Sequence, residues 1–282
     1  MRRVHILLLS LVFLVFGNAS ASENLAQPVS FQALLERSTA SPDSMVRYGG
    51  EQPQFIELYI PAAANTPPPL IVYLHGGCWL NSFAVDHARG FAEGVRNAGF
   101  AVALVEYRRL DDEGGGWPST LNDIERAIEV LAGNQSGDYD AEQITLVGHS
   151  AGGHLALLAS QPERDLPINA VVGLAAITDI AAYAAGESGC EQAAARFIAT
   201  SPSDVEAMNP VASERHAEVI LLRGENDTIV GREQLQLDNA QVIHIAEAGH
   251  FDVIHPDTPA FSLVLRVLQH LHSEHTPIVS EE

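Results

Sequence analysis

The chain has 282 residues, 46% of them apolar and 18% charged, and fifteen arginines with no lysine face 36 acidic residues for a formal net charge of −21. The length suits one large α/β domain or two small ones, and a chain this long can bury a sizeable core without disulfide staples. The charge argues against a nucleic-acid partner and against docking on anionic lipid, both of which require clustered cations.

The first segment reads as a targeting sequence. Arg2 and Arg3 precede an apolar run from Ile6 to Phe16, and small residues follow at Ala19 and Ala21. This is the pattern of a secretory signal peptide over residues 1–21, cleaved near Ala21. The run is too short to span a bilayer, so no stable membrane insertion is expected. A periplasmic or secreted location follows. There an oxidising environment permits a bridge between Cys78 and Cys190, although two buried thiols satisfy the sequence equally well.

Residues 22–49 are polar and irregular and read as an N-terminal arm. Alternation predicts a strand over 54–60, and the continuous apolar run 70–74 (LIVYL) predicts a strand buried on both faces. A helix is expected over 86–98, a strand over 100–105, and a helix over 119–131 with Ser119 or Thr120 as N-cap. A strand at 144–147 then leads into a helix at 151–160, and another strand covers 170–174. Residues 176–210 are Ala-rich without a clear strand and read as a cap-like excursion. Strands at 219–222 and 242–245, a helix around 232–237 and a last helix over 260–272 complete one domain, 50–272. Residues 273–282 form a polar tail, and His270, His272 and His275 around its start do not share a helix face as metal ligands would. Alternating strands and helices imply a mostly parallel central sheet with helices on both faces.

The chemistry is concentrated in a few motifs. Gly148-His149-Ser150-Ala151-Gly152 fits G-x-S-x-G between an apolar strand and a helix, a context that presents Ser150 on a sharp turn at the carboxyl end of the sheet. A serine hydroxyl needs a base, and His250 follows a late strand. The base needs an orienting carboxylate. Asp227, after the strand 219–222, completes the order Ser, Asp, His, with Glu225 and Asp179 as competitors. Asp252 reads as a local loop acceptor. His75-Gly76-Gly77-Cys78-Trp79 follows LIVYL and offers prepositioned N–H donors from Gly77 or Cys78, joined by that of Ala151, for an oxyanion. His149 and His154 read as structural, and Arg108 and Arg109 as clamps on a loop or on Asp123. Trp79 and Trp117 fit either a pocket wall or the core.

HGGCWL, EYRR (106–109), GGGWPSTLNDIERAI (114–128), GHSAGGHLA, RGENDTIV and AGHFDVI together resemble the α/β-hydrolase superfamily. The likeness is to its esterase/arylformamidase branch, whose oxyanion motif is HGGxW, and it spans about residues 50–272. It implies an α/β-hydrolase fold with a small cap insertion. It implies Ser150 as nucleophile, His250 as base, Asp227 as acid and an oxyanion hole from Gly77, Cys78 and Ala151, with no metal or organic cofactor. Cys78 fills the variable position of the motif. The expected activity is that of an exported serine hydrolase cleaving small carboxylic esters through an acyl-enzyme. An arylformamidase or other amidase, a small peptidase and a catalytically dead binding scaffold are the alternatives. The expected partner is a small ester or amide, and the oligomeric state is left open. If Cys190 lies in the cap, a bridge to Cys78 would tie the cap to the oxyanion loop.

Overall fold

The computed structural model describes residues 27–62, 66–212 and 217–273. The signal-peptide reading, the first residues of the arm and the tail beyond residue 273, with His275, lie outside the described residues. In chain order the elements are α1 (Phe31–Glu36), β1 (Ser44–Arg47), β2 (Phe55–Tyr59), β3 (Pro69–Leu74), α2 (Arg89–Asn97), β4 (Ala101–Glu106), α3 (Ser119–Ala132) and β5 (Asp140–His149). They continue with α4 (Ala151–Ala159), β6 (Ile168–Leu174), α5 (Ile180–Tyr183), α6 (Gly189–Ala199), β7 (Glu218–Gly224), β8 (Gln241–Ile245) and α7 (Pro259–His272).

The eight strands form one sheet in the order β1-β2-β4-β3-β5-β6-β7-β8. β2 runs antiparallel to both β1 and β4, and the other neighbours are parallel. β3 shows why the apolar run is continuous. Leu70, Val72 and Leu74 pack on one face with α3 and α4, while Ile71 and Tyr73 pack on the other with α2 and α7. Successive side chains of a strand point to opposite faces, so a strand covered on both sides must be apolar throughout.

From β3 the chain crosses through α2 to β4 on one side, then returns through α3 to β5 on the other side of β3. The direction of winding therefore reverses between β3 and β5. A crevice opens at the carboxyl ends of two strands whose connections diverge in this way. The HGG segment leaves β3 at that point and the Ser150 turn leaves β5.

Four expectations need correction. The arm is not irregular throughout: α1 forms within it, and Ser44–Arg47 pairs with β2 from Ser44↔Leu58 to Arg47↔Phe55, so the sheet begins before residue 50. Met45 stays exposed on this edge, which left no amphipathic signal. The N-cap of α3 is Pro118, without a side-chain cap bond. Thr120 Oγ1 instead donates to Arg108 O at 2.8 Å and accepts from Gly116 N at 3.2 Å. The helix placed around 232–237 is a single 3-10 turn, Arg232–Leu235. There Gln234 turns inward, and its Oε1 accepts from Thr178 N at 2.9 Å and Asp179 N at 2.8 Å. Finally, a 3-10 turn (Val85–Ala88) precedes α2, whose α-helical part starts at Arg89.

The excursion at 176–210 contains no strand and is built from α5, α6 and 3-10 turns at Pro202–Asp204 and Pro210–Ala212. It is fastened to the body by Trp79 stacking on Phe197 (5.7 Å between centroids) and by His154 Nε2 bonding Met208 O at 2.7 Å.

Candidate active site

Ser150 has φ 55° and ψ −119°, between the last residue of β5 and the first of α4. A left-handed φ at a non-glycine residue costs about 1–3 kcal/mol and persists only where its surroundings enforce it. Here Ser150 N donates to Leu174 O at 2.9 Å, and His154 N donates back to Ser150 O at 3.1 Å. Gly152 permits the turn, because a Cβ there would lie 2.1 Å from Leu74 O. The N–H of Ala151 opens α4, where first-turn donors lack intrahelical acceptors.

His250 and Asp227 are brought together from separate loops. His250 Nδ1 lies 2.8 Å from Asp227 Oδ2, and both side chains are buried. The other Asp227 oxygen accepts from Ile229 N at 2.8 Å and Val230 N at 2.9 Å. Burial raises the Asp227 carboxyl pKa, but the hydrogen bond to His250, the imidazole's charge and the two N–H donors outweigh it and hold the carboxyl below its ordinary range. The competing acids stand elsewhere: Glu225 is exposed, and Asp179 caps α5 by accepting from Ala182 N. Asp252 is a loop acceptor, taking Gly249 N at 3.0 Å.

Two partners were not apparent from the sequence. Arg223, at the end of β7, donates to Val230 O at 2.7 Å and Asp227 O at 2.8 Å, closing the loop that carries the carboxylate. His149 Nε2 bonds His250 O at 3.0 Å, with the two rings 4.5 Å apart. Burial lowers the His149 pKa well below the ordinary value, so the ring stays neutral and Nε2 carries the proton donated to that carbonyl.

The HGG loop turns sharply, with φ of 116° at Gly77, 55° at Cys78 and 57° at Trp79. It is held from three directions. Leu80 N closes on Gly77 O, and Leu110 N on Trp79 O. Trp79 is buried, with Nε1 donating to His154 Nδ1. Cys78 is disulfide-bonded to Cys190 at the start of α6, with Cα atoms 5.0 Å apart. Beneath the loop, His75 Nε2 meets Glu106 Oε1 at 3.0 Å, and Glu106 also pairs with Arg109 at 2.9 Å and accepts from Val85 N at 2.8 Å. Arg108 forks onto Asp123 at 2.8 and 2.7 Å. Both arginines thus act as clamps. Trp79 belongs to the core, while Trp117 is bonded to Asp204 of the cap.

Gly77, Cys78, Ser150 and His250 line one cavity of about 290 Å³. Its remaining walls are Phe31, Phe83, His87, His149, Cys190, Ile229 and Phe251. Two further hollows, of about 350 and 570 Å³, touch neither Ser150 nor His250. The sequence had pointed to neither Phe31 nor His87, since each comes from a segment without a motif.

The model of the BD-FAE family matches residues 56–240. The chain belongs to the BD-FAE family. Among curated relatives, a versiconal hemiacetal acetate esterase from Aspergillus parasiticus is 32% identical over 44% of this chain and 39% of its own length. A probable isoprenylcysteine alpha-carbonyl methylesterase from Oryza sativa subsp. japonica is 32% identical over 40% of this chain and 27% of its own length. A kynurenine formamidase from Salmo salar is 29% identical over 40% and 36%. The alignments with these three span about a quarter to two fifths of the relatives' lengths. In solved structures, esterase B of Lactobacillus rhamnosis superposes with a TM-score of 0.71 at 20% identity, covering 86% of this chain and 89% of that one. A truncated carbohydrate esterase from gut microbiota gives 0.68 at 20% identity, covering 84% and 100%. The BD-FAE chain therefore has the α/β-hydrolase fold, with an open, mostly parallel sheet.

Proposed function

We propose that the chain is an exported serine hydrolase that cleaves small carboxylic esters through an acyl-enzyme. The observation that carries this reading is that His250, paired with Asp227 at 2.8 Å, lines the same cavity as Ser150. In this mechanism His250 Nε2 takes the proton of Ser150 as Oγ attacks the ester carbonyl. The oxyanion faces the N–H groups of Gly77 or Cys78 and of Ala151, each such donor contributing about 2.7–4 kcal/mol to lowering the barrier. His250 returns the proton to the departing alkoxide. Water then attacks the acyl-enzyme with His250 again as base, releasing the acid and free Ser150. Asp227 keeps the imidazole in the tautomer with Nε2 open and offsets the charge it gains.

An ester substrate fits a small cavity whose walls are mostly apolar, and two of the relatives above are named esterases. A formamide is the second reading, favoured by the relative named kynurenine formamidase. Export is supported by the Arg2-Arg3, Ile6–Phe16 and Ala19–Ala21 pattern and by the disulfide, a bond that persists in oxidising compartments. The test is hydrolysis of p-nitrophenyl acetate and butyrate beside an N-formyl arylamine. Turnover of the esters that falls at least ~10³-fold in Ser150→Ala is expected. Turnover of the formamide alone would replace the first reading with the second. A folded wild type inert toward all three would remove both.

A further inference from the structure

The segment ahead of the sheet docks on the loop that carries His250. Asp252 Oδ2 accepts from Val29 N at 2.9 Å and from Gly249 N at 3.0 Å, so one carboxylate joins the two segments. Pro28 packs so closely on Gly249 that a Cβ there would come within 2.5 Å of it. Ser30 caps α1 by accepting from Ala33 N, and Arg37 reaches Glu93 at 3.8 Å and Asp257. A helix of six residues does not persist alone in water, so these contacts fix its position.

That position puts Phe31 into the wall of the cavity. Its ring meets Phe83 edge-on at 5.3 Å and leans on Phe251 at 5.8 Å. Phe83 comes from the HGG side, where its backbone carbonyl accepts from Arg109, and Phe251 comes from the His250 loop. Phe31 thus touches side chains from both the HGG side and the His250 loop, and it lines the same cavity as Ser150.

The cavity's chemistry narrows what can lie there. Among the described residues no carboxylate, arginine or lysine lines it, in a chain with a net charge of −21. Its two histidines other than His250 are held neutral by burial, His87 with a pKa lowered to about 3. At about 290 Å³ it sits near the lower end of the ~300–1,000 Å³ typical of small-molecule sites. An uncharged, apolar and short chain fits those walls.

We propose that Phe31 is a specificity-determining residue: it sets the length of the apolar chain that the cavity accepts beside Ser150. The assignment rests on the esterase reading above. The test is kcat/KM for p-nitrophenyl acetate, butyrate, hexanoate and octanoate, and for ethyl, butyl and hexyl acetate, in wild type, Phe31→Ala, Phe31→Leu and Phe31→Trp. Phe31→Ala is expected to raise the long-to-short ratio at least ~10-fold in one of the two series, Phe31→Leu to raise it less, and Phe31→Trp to lower it. The series that shifts identifies the half of the ester held in the cavity. Loosening of the arm alone would lower all rates together and could not move the ratio in opposite directions. Variants that scale every substrate by one factor would overturn the assignment. If Phe31→Ala fails to fold, the opposed shifts of Phe31→Leu and Phe31→Trp still decide it. A wild type inert toward every ester would remove the esterase reading itself, whereas an active wild type whose preference ignores position 31 would remove only the role of Phe31.

Discussion

Asp227 uses both carboxylate oxygens, one on His250 and one on two backbone N–H groups, and its own carbonyl is held by Arg223. Asp227→Asn keeps the size of the side chain but can present an NH₂ where His250 Nδ1–H donates, favouring the wrong tautomer. A kcat loss of about 10³–10⁴ with KM little changed is expected in steady-state hydrolysis of p-nitrophenyl acetate. A loss below tenfold would remove Asp227 from the proposed mechanism. Ser150, His250 and Asp227 are legible in sequence because each ends a predicted strand in a short motif. Arg223 and His149 are not. Their partners are backbone carbonyls of Val230, Asp227 and His250, and a carbonyl carries no residue-type signal. Phe31 is not legible either, because its ring partners Phe83 and Phe251 lie far off in the chain and meet it only when α1 docks.

At the scale of elements, the loop after β3 and the helix α6 behave as one piece. The loop carries three consecutive left-handed residues, two of them bearing side chains, and the disulfide links it to the cap across 112 residues of chain. Closing a loop of that length restricts the unfolded chain strongly, and losing a bridge of this kind typically costs ~2–4 kcal/mol. Cys190→Ser is therefore expected to lower the unfolding free energy by about that amount in urea melts. It is also expected to lower kcat on p-nitrophenyl acetate more than it raises KM, because the freed loop carries the proposed oxyanion donors. Full activity and stability in the variant, or two free thiols in mass spectra of the unreduced protein, would contradict this. The sequence left the pairing open because spacing says nothing about the distance between β3 and α6. It missed β1 for a related reason. An edge strand with exposed side chains has no alternation to read, and its partner β2 defines it. The helical tendency at 232–235 is limited to one 3-10 turn, in which Gln234 accepts from the N–H groups of Thr178 and Asp179.

For the whole molecule, the buried histidines set the response to acid. Burial lowers His87 to about 3 and His154 to about 4, and lowers His149 well below its ordinary 6.5. The folded protein keeps these rings neutral, while the unfolded chain takes up protons as pH falls below about 6.5. Stability is therefore complete above that pH and declines toward pH 4, by up to ~1.4 kcal/mol per pH unit for each histidine. Relief of repulsion among the 36 acidic residues opposes this only once carboxylates begin to protonate, near pH 5 and below. The melting temperature is expected to fall steadily between pH 6.5 and pH 5, and a flat profile there would contradict the account. Below about pH 4, Asp227 and Glu106 add to the loss, since both carboxyls are held below their ordinary range in the fold.

The amino-acid order by itself determined the layered α/β sheet and the chain order of Ser150, Asp227 and His250. Apolar runs, helical periodicity and glycine turns are local signals, and the sheet that they specify brings the carboxyl ends of its strands together. Which side chains shape the cavity beside Ser150 was decided only in three dimensions. Phe31, Phe83, Phe251 and Cys190 lie far apart along the chain, and their encounter depends on how α1, the HGG loop, the His250 loop and α6 dock around the crevice between β3 and β5. Docking of that kind depends on complementary surfaces, single hydrogen bonds such as those to Asp252, and one disulfide. None of these leaves a periodic trace in the sequence.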